Sequence, residues 1–202
     1  MKSYKGILVF LAVTIAMIGT ASAGTQTVTI ATFDDPASGS SEPMFEIDYA
    51  NGLLNGGWTG SNLTLEVPVT GTTYSNATFE MDTMTFSGTV IGGYYTDNGG
   101  SIRFYDESST QVLKIEYDRL WIQSRTSGVD SQDVYGDNVI ISGDGLANLS
   151  QEQFGFTFVN VTSDEEDTYT ASASFTSSAV VPEPATIALL AFGGLMLTRR
   201  RK

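Results

Sequence analysis

In Phe45-Glu46-Ile47-Asp48-Tyr49, apolar and acidic side chains alternate residue by residue. A period of two places Phe45, Ile47 and Tyr49 on one side of an extended chain and both acids on the other. One side is dry and the other wet, which is the condition of a strand in an antiparallel sheet packed on one face. Short runs rich in Val, Ile, Thr, Tyr and Phe recur along the chain: TQTVTIATF, NLTLEVPV, TFEMDTMTFSGTVIGGYY, SIRFYD, VLKIEYDRLWIQ, NVIISG, FGFTFVNVT and YTASASFTS. Clusters of Gly, Asn, Asp and Ser separate them, with turns expected at 55–57, 97–100 and 142–145. No window between the chain ends keeps a helical period with caps; LANLSQEQF holds at most one turn. A parallel sheet needs long, usually helical, crossovers, and these are missing. The expected fold is all-β: a single antiparallel β-sandwich of jelly-roll type, spanning residues 24–180.

Residue absences narrow the chemistry. With no cysteine in the chain, packing alone must hold the core. With no histidine, Ser-His-Asp and Cys-His catalysis are ruled out, and so is the commonest zinc ligand. Any chemistry left would use carboxylates or an oxygen-coordinated metal.

Both ends have a different character. MKSYKGILVFLAVTIAMIGTASAG has the layout of a secretory signal: Lys2 and Lys5, an apolar run over 6–18, then small residues at Ala21 and Ala23. The run is short of the about 20 residues a span needs, so signal peptidase is expected to cut between Ala23 and Gly24, removing 1–23. At the other end, Val181-Pro182-Glu183-Pro184 precedes a short apolar stretch over 185–198 and a basic cluster, Arg199, Arg200, Arg201 and Lys202. The prolines stop a helix from continuing inward. Glu183 is held out of lipid, and the basic cluster keeps its own end cytoplasmic.

That order of motif, short helix and basic stop closely resembles the PEP-CTERM sorting signal of Gram-negative bacteria, over 181–202. The resemblance implies that an exosortase recognises Val181 to Pro184 while the helix holds the protein transiently in the inner membrane. It further implies release to the cell surface or the exopolysaccharide matrix.

Six of the ten basic residues, but one of the 23 acids, lie in these two ends. The remainder carries 22 acids against 4 bases, near −18, whereas the whole chain is −13. Such a surface repels nucleic acid and anionic lipid, so no nucleic-acid partner is expected.

Within the middle region, Glu46-Ile47-Asp48 resembles the E-x-D strand of laminarinase-type retaining glycosidases. It lacks their second Glu, however, and it recurs as Glu80-Met81-Asp82 and Glu116-Tyr117-Asp118. Three copies in one domain are the pattern of solvated strand faces, so no catalytic residue is expected. Asp130, Asp133, Asp137 and Asp144 lie in an acid-rich stretch read as turns, where a calcium ion could be bound, although Asp also stabilises turns unaided. The run 164–167 reads as a solvated hairpin tip. Trp58 and Trp121, with Tyr94, Tyr95, Tyr105 and Tyr117, are candidates for a sugar-stacking platform. Asn62, Asn76, Asn148 and Asn160 each open an N-x-[ST] triplet. The function expected is that of a non-enzymatic surface or matrix protein, structural or glycan-binding. The alternative is a carbohydrate-active enzyme with a carboxylate mechanism on a jelly-roll scaffold.

Overall fold

A computed structural model describes residues 25–36, 43–87, 93–123, 132–163 and 167–182. The chain forms two compact units: Thr27–Val180, and the two ends, Met1–Gln26 with Val181–Lys202. Among the described residues there are fifteen strands and no helix. They are β1 (Thr25–Phe33), β2 (Phe45–Asp48), β3 (Leu53–Trp58), β4 (Leu65–Val67), β5 (Thr72–Tyr74), β6 (Thr78–Met81), β7 (Met84–Thr85) and β8 (Gly93–Tyr95), then β9 (Gly100–Tyr105), β10 (Gln111–Tyr117), β11 (Arg119–Gln123), β12 (Gln132–Asp137), β13 (Ile140–Gly143), β14 (Ser150–Ser163) and β15 (Thr168–Pro182).

The strands make one antiparallel array in the order β13-β10-β9-β6-β3-β2-β15-β14-β12-β11-β8. β1 adds to β15 and β4, β5 extends β4, and β7 flanks β3. The all-β, antiparallel expectation holds, with one continuous curled sheet carrying all the strands. The curl brings Phe79 of β6 to 6.1 Å from Phe156 of β14, and Phe104 of β9 to 5.2 Å from Phe175 of β15, ring centre to ring centre. Phe33 and Phe45 complete this phenylalanine core. Each such ring, moved from water into the interior, contributes about 1.5–3 kcal/mol.

The core follows from alternation. In β14, Phe154, Phe156 and Phe158 point inward while the residues between them point out. The matching inward positions of β15 are Ala173 opposite Phe158 and Phe175 opposite Phe156, a small residue facing a large one and then two rings tilted by 42° with centroids 5.0 Å apart. β14 and β15 pair antiparallel up to Ser163 and Tyr169, as the expected hairpin requires, and residues 164–166 of its tip lie outside the described residues.

Two expectations are corrected. Residues 55–57 are not a turn but the middle of β3. β3 pairs with β2 through 53–56 and with β6 through Gly57 and Trp58, so it forms the corner where the sheet bends. A Cβ on Gly56 would come within 2.6 Å of the Phe45 ring, so glycine here serves a close approach. The second correction concerns Asp133 and Asp137, which lie in strand β12 and not in acidic turns. The 142–145 turn is present, with Gly145 at φ +75°. Residues 97–99 lie in the connection from β8 to β9 and Gly100 opens β9, two strands that do not pair with each other.

Candidate functional site

Registers across five strands line up one row of residues: Tyr95, Trp121, Tyr135, Gly155 and Thr176, from β8 through β11, β12 and β14 to β15. Their chain neighbours Leu120, Ile122, Val134, Phe154, Phe156 and Phe175 are buried, so the row lies on the face turned from the core. Trp121 and Tyr135 stack with centroids 4.8 Å apart and planes 18° from parallel. Tyr135 is 44% exposed, a value high for a large ring in a sheet. Arg119 lies 4.8 Å from the centre of the Tyr95 ring and donates to Asp137 at 2.9 Å, which fixes the guanidinium against the row. Gly93 leaves space for the indole, since a Cβ there would lie 2.9 Å from Trp121 Cζ2.

Beyond Tyr135 the face is carpeted with short polar groups. Thr157 pairs with Ser174 in the adjoining row. A hollow of about 250 Å³ over Gly155 is bordered by Tyr135, Thr157, Ser174, Thr176, Thr32 and Asp34. Rings at one side and hydroxyls with a carboxylate at the other suit a ligand that is apolar on its faces and polar at its edge.

The six aromatic residues expected as a platform do not stay together. Trp121 and Tyr95 share the outer row. Trp58 is 5% exposed and has a buried indole Nε1 without a hydrogen-bond partner among the described residues, so its ring offers no face to solvent. Tyr117 is buried, its hydroxyl pushed above its ordinary range by burial and by the Asp82 charge. Tyr94 packs against Phe86 and Tyr49, and Tyr105 bonds to Glu80 at 3.4 Å. Tyr135 and Gly155 were missed. Their signal was the alternation in β12 and in FGFTF, where an outward glycine stands between two inward rings.

The repeated E-x-D aspartates are engaged locally. Asp48 accepts from Asn51 Nδ2 at 2.6 Å and from its N–H at 2.9 Å, bonds that hold its carboxyl below the ordinary range. Asp82 accepts from Ser101 N–H, Ser101 Oγ and Arg103 at 2.8–2.9 Å. Asp118 accepts from Asn138 at 2.7 Å.

For the acidic stretch, β12 spaces Asp133 and Asp137 four residues apart along an extended strand, about 13 Å, with Asp137 paired to Arg119. Asp144 is exposed in the turn after β13, and Asp130 lies outside the described residues. Among the described residues no group of three or more acids converges on a point that could hold a metal ion.

The sorting and cleavage residues fall mostly outside the described part: Ala21, Ala23, Gly24, Glu183, Pro184, Arg199, Arg200, Arg201 and Lys202, with the apolar stretches of both ends. Val181 and Pro182 are the last residues of β15. No curated protein and no solved structure matches the chain. Residues 180–202 match the family model for the PEP-CTERM protein-sorting motif. The chain thus ends in a PEP-CTERM protein-sorting motif, and that motif implies an exported, exosortase-processed protein associated with the cell surface.

Proposed function

We propose that this protein is a non-enzymatic component of the extracellular matrix that binds polysaccharide on the outer face of β8, β11, β12, β14 and β15. The curled sheet serves as a rigid, jelly-roll-like scaffold for that face. The observation that carries the reading is the outward Trp121 and Tyr135 stack in one row with Tyr95. Aromatic rings left on a strand face lose the burial that normally holds them in a core, and sugar C–H faces supply it. Hydrogen bonds from Asn51 to Asp48, and from Arg103 and Ser101 to Asp82, hold both carboxyls low, which disfavours either as a general acid.

Gel electrophoresis of the exported protein through its own cells' polysaccharide tests this. The native protein is expected to be retarded, with Trp121→Ala weakening the interaction about tenfold or more, the scale of one lost stacking contact. Unretarded native protein, or retardation untouched by Trp121→Ala at an unchanged melting temperature, would contradict it.

A further inference from the structure

The row of rings stops at Gly155. We propose that the gap left by this glycine is a subsite for a single uncharged pyranose ring, held as the next member of the Trp121 and Tyr135 stack. The inference rests on the glycan-binding reading above and names its ligand.

The geometry of the stack sets the direction. Trp121 covers the face of Tyr135 on the β11 side, with planes 18° apart and centroids 4.8 Å apart. The opposite face of Tyr135 looks along the row toward β14, where Gly155 contributes no side chain. Thr176 is the next side chain, two strand spacings or about 9–10 Å from Tyr135. A ring lying parallel to Tyr135 at a van der Waals distance of about 3.5–4.0 Å fits that interval. The hollow there, about 250 Å³, is smaller than the roughly 300–1,000 Å³ of pockets for drug-sized ligands, a size in keeping with one ring.

Backbone geometry gives no reason for glycine at 155. Its φ is not in the left-handed region, and a Cβ there would meet only the Val134 carbonyl at 3.5 Å, an ordinary contact. Mid-strand glycine weakens a sheet by about 0.5–1 kcal/mol relative to alanine, and it marks places where a ligand comes close to the backbone. A pyranose matches the walls: its C–H face covers Tyr135, and its rim hydroxyls meet Ser174, Thr176 and the Asp34 carboxylate, which accepts hydroxyl protons. The same carboxylate repels a uronate or sulfate, so the ligand is uncharged.

Titration of protein recovered from the cell exterior decides the matter, with cellotetraose, mannotetraose, maltotetraose and tetragalacturonate as probes, read by calorimetry and by the Tyr135 ring protons in NMR spectra. At least one neutral tetrasaccharide is expected to bind and shift those protons, and tetragalacturonate is not. Gly155→Val, which fills the gap with a strand-favouring side chain, is expected to weaken binding about tenfold or more; Gly155→Ala weakens it less and serves if the valine variant does not fold. Neutral binding that leaves the Tyr135 protons unmoved, or that survives Gly155→Val, overturns the subsite while the glycan-binding reading stands. Binding of tetragalacturonate alone does the same. No binding of any probe or of the cells' own polysaccharide overturns both.

Discussion

Asn62, Asn76, Asn148 and Asn160 all have positive φ, between 51° and 76°. Left-handed backbone strains most side chains, and asparagine is, after glycine, the residue best suited to it. In Asn160 the conformation makes a β-bulge in β14, and its amide reaches Ser172 Oγ at 3.1 Å. Asn76 Oδ1 accepts from the Asn62 N–H at 3.2 Å. Four N-x-[ST] triplets therefore share a conformational cause, one that a pattern of residue types does not reveal. Exposed Asn148, between β13 and β14, gives a clean test. Asn148→Ala should cost about 1 kcal/mol, or roughly 2–4 °C in melting temperature for a domain of this size, while Asn148→Gly should change it little. Equal melting of the two variants would remove the backbone explanation.

Asp82 links three elements: it follows β6, precedes β7, and receives its hydrogen bonds from Ser101 and Arg103 of β9. Burial pushes its carboxyl up, but the bonds from Arg103 and Ser101 together outweigh burial and hold it below its ordinary value of 3.8. Because the folded value is the lower one, its stabilisation is present above the ordinary carboxylate range and is lost as pH falls through the folded value. The pair is partly open to water, with Arg103 31% and Asp82 41% exposed, so Asp82→Asn should cost no more than about 1 kcal/mol near neutrality. Melting curves of both proteins should differ at about pH 7, and the gap should shrink as pH falls below the ordinary carboxylate value of 3.8; a gap independent of pH would show that the carboxylate charge is not what matters.

Element type was legible wherever alternation was strong, as in β1, β9, β10 and β15. It failed at β3 because Asn55, Gly56 and Gly57 are turn residues by local preference, placed in a strand by the Phe45 ring and the pairing with β6. It failed at β12 because Asp133, Gly136 and Asp137 are turn residues by local preference, and only pairing with β11 and β14 draws the run into the sheet. Trp121 was recognisable as a candidate from composition. Its partner Tyr135 depends on cross-strand register, which a linear sequence does not display.

For the whole molecule, the tail and the folded part divide the work. The PEP-CTERM motif over 180–202 begins within the last residues of β15, whose bounds run to Pro182, so the sorting signal starts where the strand ends. With 22 acids against 4 bases between the two ends, the exported part carries a charge that resists collapse onto anionic surfaces. On the proposed function, retention outside the cell falls to specific contacts made by the outer row of rings. Fractionating cells into membrane, matrix and free medium, with intact mass measured in each, tests this division most directly. The native chain should appear in the matrix without Lys202, and Trp121→Ala should be clipped equally but shift into the free medium. Matrix protein still carrying Lys202, or a Trp121→Ala protein retained like the native one, would contradict it.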